Sequence, residues 1–187
     1  MIRQLVLRNR SYRRFDQSKS INRQTLRDLV DLARLSPSAA NLQNLRYWLV
    51  DTPNNDLFGC LHWANYLKDW DGPLEGERPA AYILILAPHN CTKYHYFDTG
   101  IACQSMLLGA TEIGLGGCIL ASVNREEAQK LLEIPTEYEI LLVIALGVPA
   151  EVVIIDQISA QDNIEYWRDE KDRHHVPKRS LDTLILN

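Results

Sequence analysis

Asp98-Thr99-Gly100-Ile101-Ala102-Cys103-Gln104-Ser105-Met106-Leu107-Leu108-Gly109-Ala110-Thr111-Glu112-Ile113-Gly114-Leu115-Gly116-Gly117 is the stretch around which this chain is organised. From Gly100 to Ile113 it is apolar on nearly every side, and a helix that hydrophobic belongs at the centre of a fold. The run stops at Gly114-Leu115-Gly116-Gly117, and Cys118-Ile119-Leu120-Ala121 behind it reads as a buried strand. Asn124, with Glu127 three residues on, has capping-box spacing, so another helix starts there, and Pro135 closes it.

Toward the N-terminus, Leu26, Leu29, Val30 and Ala33 recur at helical spacing, Asn22 is a candidate N-cap, and Pro37 forbids continuation past Ser36. This helix delivers Ser36-Pro37-Ser38-Ala39-Ala40-Asn41 as an ordered loop. Tyr47 to Val50 is a strand candidate ending in the turn-rich Asp51-Thr52-Pro53-Asn54-Asn55, and Leu57 to Leu67 suits a helix carrying Phe58, Trp63 and Tyr66. Lys68 to Pro79 holds too many breakers for a regular element and reads as a surface loop, a candidate lid over a cleft. Ala81 to Ala87 and Ile140 to Leu146 are continuous apolar strands, Val152 to Ile155 is a further strand candidate, and Gln157 to Asn187 is a polar, mixed tail. Helices and strands without regular alternation predict an α+β fold rather than a doubly wound parallel sheet. There is no Gly-x-Gly-x-x-Gly after a strand and no Walker loop, which excludes a dinucleotide clamp or P-loop of the usual kind.

The 187 residues, 46% hydrophobic and 24% charged, suit a single domain over 1–187. Lys and Arg number 20 against 24 Asp and Glu, and a net charge of −4 argues against general nucleic-acid binding. Within that acidic background stand two basic clusters, Arg10-Ser11-Tyr12-Arg13-Arg14 and Pro177-Lys178-Arg179, each with a hydroxyl beside it. Read together they form one anion site split across the chain, and charge-assisted donors of these types suit a phosphate ester. Cys60, Cys91, Cys103 and Cys118 lack any Cys-x-x-Cys pairing and read as buried thiols in a reducing compartment. The start, Met1-Ile2-Arg3-Gln4, leads into more arginines without a signal-peptide core, and the longest apolar runs are too short to cross a bilayer. The expectation is a soluble cytoplasmic protein with no membrane partner.

Arg10-Ser11-x-Arg13, Ser36-Pro37-Ser38-x-x-Asn41-x-Gln43, Gly114-Leu115-Gly116 and Pro177-Lys178-Arg179 occur in the order found in nitroreductases. The chain thereby resembles the FMN-dependent nitroreductase family, from the first cluster to the tail, and the combined order carries the likeness. The resemblance implies a nitroreductase-like fold, with a central mixed β-sheet wrapped by helices and an extended C-terminal tail. It also implies a homodimer with two FMN sites at the subunit interface, each lined by both protomers. Carried over by position, Arg10, Ser11 and Arg13 hold the FMN phosphate together with Lys178 or Arg179. Pro37, Ser38, Asn41 and Gln43 lie along the flavin and its ribityl chain, where amide side chains both give and accept bonds. Leu120, Ala121 and Ser122 match the backbone segment beside flavin N5, and Asn65 matches a position at the pyrimidine edge. Without the basic clusters, the Pro37 loop reads simply as a Pro-initiated turn with a left-handed Asn.

Three positions depart from the family pattern. Asn9 stands where many relatives carry another basic residue, Asn44-Leu45 replaces the usual Pro-Trp, and Ala121-Ser122 stands where a Gly or Glu-Gly pair is frequent. None removes a group needed for hydride chemistry, because the reactive atoms belong to the cofactor.

The activity this resemblance implies is an oxidoreductase that takes a hydride from NADH or NADPH at flavin N5. A nitroaromatic, quinone or similar flat acceptor then receives it in a ping-pong cycle, without an acidic or nucleophilic catalytic side chain. An alternative is a non-catalytic FMN-binding or sensor protein, and a second alternative is dehalogenase or flavin-fragmenting chemistry on the same fold. His174-His175 beside Asp172 invites a metal reading, but adjacent strand residues point to opposite faces and no third ligand follows from spacing. Ser11, Ser38 and Ser105 lack a Gly-x-Ser-x-Gly elbow. Trp63, Tyr66 and Trp70 suit core or loop packing, with stacking on a flat substrate as the functional alternative.

Overall fold

The computed structural model describes residues 1–90 and 92–187, so Cys91 lies outside the described residues. Internal contacts divide the chain into two compact units, Met1–Trp63 with Pro73–Ala150, and Ala64–Gly72 with Glu151–Asn187.

The first unit is built on α4 (His95–Glu112). Its buried face, from Asp98 and Thr99 through Ala102, Cys103, Met106, Leu107, Ala110 and Thr111, repeats every three to four residues. The helix begins one turn earlier than the apolar run suggests. Its end is local chemistry: Gly114, at φ 82°, takes the left-handed conformation a side chain would resist, and Leu115 N–H reaches back to Ala110 O at 2.8 Å. Against α4 packs α2 (Arg23–Leu35), whose Leu26, Leu29 and Ala33 are buried and whose N-cap Asn22 accepts from Thr25 N–H at 2.8 Å. The short helix α1 (Ile2–Arg8) precedes both.

These helices join a five-stranded sheet of β1 (Phe15–Asp16), β2 (Arg46–Val50), β3 (Ala81–Pro88), β4 (Gly116–Leu120) and β5 (Tyr138–Pro149), ordered β1-β5-β3-β2 with β4 also on β5. Every ladder in it is antiparallel, where a mixed sheet is the expectation, because β3 and β4, which run in the same direction on either end of the α4 connection, each pair with β5 and not with each other. Within the strands, parallel pairing is confined to the smaller sheet of the second unit. Residues Ala80 to Ala87 and Ile140 to Leu146 are almost wholly buried apart from half-buried Leu142, which explains their uninterrupted apolar sequence. The β3–β5 ladder slips once: Ile85 pairs with Leu142 and Leu86 with Ile140, leaving Leu141 as a bulge. Two strands are longer or earlier than the apolar runs imply, with Gly116 and Gly117 already inside β4.

The helix expected over Leu57 to Leu67 shrinks to α3 (Asn55–Gly59), capped by Asn54. Tertiary pairing overrides the local pattern there: Leu61 forms an antiparallel bridge with Val123, His62 N–H donates to Ser122 O, and Asn124 N–H donates to Cys60 O. Helix α5 (Arg125–Leu131) follows from its Asn124 cap.

The second unit contains what the sequence presents as a polar tail. It forms a three-stranded sheet of β6 (Val153–Ile158), β7 (Trp167–Arg168) and β8 (His174–Arg179), with β8 central, parallel to β6 and antiparallel to β7. Arg168 bonds Glu151 at 3.1 Å and stacks over Trp70, and Tyr66 packs on Tyr166. Among the described residues, no helix is long and apolar enough to cross a membrane.

Candidate functional site

The first basic cluster lies against β4. Ser11 bridges Gly117 in parallel and Tyr12 N–H donates to Gly117 O at 3.0 Å. Arg10 Nη2 donates to Val6 O at 2.6 Å, while its Nε is buried with no hydrogen-bond acceptor among the described residues. A buried donor in that state costs free energy until an acceptor arrives, and an oxyanion provides one. Arg13 Nη1 contacts Ser11 O at 3.3 Å. Strand β4 then runs from Gly117 to Leu120 and delivers Ala121 and Ser122, both exposed, at its far end. The cluster and the Leu120-Ala121-Ser122 segment are thus brought onto one strand, four residues or roughly 13 Å apart at the usual strand rise.

The Ser36 to Gln43 loop lines a different cleft, on the face of α4 that presents Asp98, Ile101 and Ala102. Pro37, Ser38 and Gln43 contribute to it together with Arg34, Arg46 and Tyr47, and it encloses about 190 Å³. Three residues hold left-handed backbone, Ala40, Asn41 and Gln43, at φ 49°, 53° and 51°. Asn41 tolerates this conformation readily, whereas Ala40 and Gln43 keep it only under restraint. The restraint is visible. Buried Asp98 accepts Ala39 N–H at 2.8 Å, Arg46 Nη1 donates to Gln43 O at 2.9 Å, and Ser36 Oγ meets Ser105 Oγ at 2.7 Å. The Ser38 hydroxyl and the Gln43 amide hold only long bonds of 3.4 Å, leaving both able to engage a polyol. Burial pushes the Tyr47 phenol up to about 12, so it stays neutral.

On the opposite side of α4 a second cleft of about 480 Å³ is lined by Tyr96, Thr99, Gly100, Ala121 and Arg125 with the start of β5. Asp98 and Arg125 line these two clefts, and motif reading passes over both. Asp98 reads as a helix opener, and Arg125 as an ordinary residue after a cap.

Asn65, Lys178 and Arg179 belong to the second unit, where all three are exposed and the last two end β8. The histidines divide as the strand geometry predicts: His174 is fully buried, and His175 sits between Asp156 at 2.9 Å and Asp169 at 3.4 Å. No group of three or more His, Cys, Asp or Glu side chains that could hold a metal ion occurs among the described residues. Trp63 is buried against Phe58, a packing role. Cys60 and Cys103 are buried free thiols, and Cys118 is buried as well.

A sequence model of the Nitroreductase family matches residues 6–90 and 77–148. Among solved structures, a nitroreductase family protein from Clostridium novyi NT superposes with a TM-score of 0.64 at 22% identity, covering 80% of this chain and 85% of that one. An FMN-dependent nitroreductase from Clostridium difficile R20291 gives 0.64 at 21%, covering 81% and 88%. The NADPH:FMN oxidoreductase from Vibrio harveyi, solved with NAD+, gives 0.62 at 20%, covering 79% and 68%. At these identities the structural likeness carries the fold.

Proposed function

The chain belongs to the nitroreductase family, and from that premise we propose that it is an FMN-dependent NAD(P)H oxidoreductase acting on a nitroaromatic, quinone or similar flat acceptor. The observation that carries this reading is the alignment along β4 of a cationic cluster, containing a buried Arg10 donor without an acceptor, with the exposed backbone of Ala121 and Ser122. Their separation is of the order spanned by a ribityl chain and part of a tricyclic ring.

When bound, FMN supplies the two-electron hydride chemistry. The chain's residues bind and orient. Arg10, Ser11 and Arg13, with Lys178 or Arg179, would hold the phosphate. Leu120, Ala121 and Ser122 would offer backbone N–H to N5, and Asn65 its amide to the pyrimidine edge. Pro37, Ser38, Asn41 and Gln43 would line the flavin and ribityl chain. With one open face serving donor and acceptor in turn, the cycle is ping-pong, and no side chain need act as acid or nucleophile.

A homodimer completes the site. The two clefts lie on opposite sides of α4, so one protomer cannot bring the Pro37 loop and the Ala121 segment to one flavin. The 190 Å³ cleft is also below the roughly 300–1,000 Å³ typical of ligand pockets. Exposed Tyr96 and Phe97 on α4, at 64% and 65%, supply apolar surface suited to a second copy. We treat 1–187 as one FMN-binding domain of a cytoplasmic protein, and the free thiols fit that reducing compartment.

Anaerobic mixing of the FMN-loaded protein with NADH and with NADPH tests the proposal. Rapid bleaching of the flavin by at least one nicotinamide is the expected result. A flavin that binds and stays yellow with both overturns the enzyme in favour of an FMN-binding protein.

A further inference from the structure

Arg125 occupies the first position of α5, where a positive charge opposes the helix dipole and acidic residues are favoured; Glu126 and Glu127 follow it there. Its guanidinium is instead spent on four backbone carbonyls: Nε donates to Ile140 O at 2.8 Å, Nη2 to Ala121 O at 3.0 Å and Leu141 O at 3.2 Å, and Nη1 to Val123 O at 3.5 Å. Successive carbonyls of a regular strand point to opposite sides. The bulge at Leu141 breaks that alternation and lets Ile140 and Leu141 face the same fork.

The consequence falls on Ala121 to Val123. Ala121 O and Val123 O are held by Arg125, and Ser122 O accepts His62 N–H at 3.0 Å. All three carbonyls are engaged, whereas among the described residues neither Ala121 N–H nor Ser122 N–H has a protein acceptor, and both residues are exposed. The Ala121 carbonyl shares its peptide plane with the Ser122 N–H, so holding Ala121 O on Arg125 directs the Ser122 N–H the opposite way.

Resting on the flavin reading above, we propose that Arg125 is a positioning residue, clamping the β4–α5 turn to the β5 bulge so that the backbone N–H of Ser122 is preset toward flavin N5. Its effect is exerted through main chain, without contact with the cofactor. Lys cannot replace it, because a single ammonium lacks the planar fork that reaches four oxygens on two segments.

The test compares the FMN-loaded parent with Arg125→Lys and Arg125→Ala. Three quantities are read: the rate of flavin reduction by nicotinamide, the flavin midpoint potential, and amide hydrogen exchange at His62 and Asn124 in the flavin-free protein. Both variants should reduce roughly tenfold to a hundredfold more slowly, as expected for a small misplacement of a preorganised group. Their potential should shift, while FMN affinity, set mainly by the phosphate cluster, stays near that of the parent. Exchange at His62 and Asn124 should quicken in Arg125→Ala. If Arg125→Ala fails to fold, Arg125→Lys decides, and parental rate and potential in either folded variant overturn the proposal. A parent that binds no FMN overturns the functional reading as well; a parent that is reduced normally alongside normal variants overturns the role of Arg125 alone.

Discussion

Asp98 Oδ1 accepts the backbone N–H of Ala39 at 2.8 Å across 59 residues of sequence, tying the central helix to the loop that carries Pro37, Ser38, Asn41 and Gln43. That carboxylate is only 5% exposed, and the loop it restrains holds left-handed Ala40 and Gln43. Strained backbone of this kind persists only where its surroundings over-determine it.

Asp98→Ala should therefore loosen the loop, cost about 1.5–3 kcal/mol for the lost charge-assisted bond, and weaken FMN binding. Asp98→Asn keeps an oxygen acceptor and should recover most of both. FMN titration and denaturant melts of the two variants check this, and parental behaviour in Asp98→Ala contradicts it.

Helices α2 and α4 meet at Gly109, where an added Cβ would overlap Leu32 Cδ1 and lie 3.2 Å from Leu29 Cδ2. A larger side chain must turn Leu32 aside and crowd buried Leu29. Gly109→Leu should destabilise by about 1–3 kcal/mol, and adding Leu32→Ala should restore part of the loss by making room. Thermal or denaturant unfolding of the single and double variants measures the coupling.

Asp169 provides a pH prediction. The Arg173 guanidinium, at 2.6 Å from Oδ2, with the backbone N–H of Arg173 and Lys171 and the His175 ring, holds its carboxyl well below the usual range. A depressed folded pKa means stability that is fully present above the ordinary carboxylate value of about 3.9 and lost as pH falls below it. Asp169→Asn should thus be less stable than the parent at neutral pH, and the gap should close between about pH 4 and lower values. Chemical denaturation of both proteins at neutral and acid pH reads this, and a gap independent of pH contradicts it.

Burial pushes the Cys103 thiol up to about 12 and also raises that of Cys60. Both should resist alkylation in the native protein near pH 8 and react promptly in denaturant. Mass spectrometry of peptides labelled before and after unfolding distinguishes this from exposed, reactive thiols.

Local chemistry made part of this fold legible. Helix α2 could be read because its cap, Asn22, and its apolar spacing through Leu26, Leu29 and Ala33 are contained in one stretch. The start of α4 was harder: Tyr94 precedes it without a capping side-chain bond, and His95, Tyr96 and Phe97 blur the period. The apolar residues between Leu57 and Leu67 have helical spacing, yet Leu61 is satisfied by pairing with Val123, a partner 62 positions away that periodicity cannot reveal. The same holds for β8, whose strand character comes from Val153 to Ile158 alongside it. At the site, residue types announced themselves but their supports did not. Arg10, Ser11 and Gln43 stand in recognisable order, whereas Asp98 matters through one loop amide and Arg125 through carbonyls exposed by a bulge.

The central claim is that the cationic segments grip the terminal phosphate of a bound flavin, and the direct measurement is a paired titration with FMN and riboflavin, which differ by that phosphate. The parent should bind FMN much more tightly than riboflavin, and both Arg10→Ala/Arg13→Ala and Lys178→Ala/Arg179→Ala should erase most of that difference by weakening FMN alone. A parent that binds the two flavins equally, or binds neither, contradicts the account.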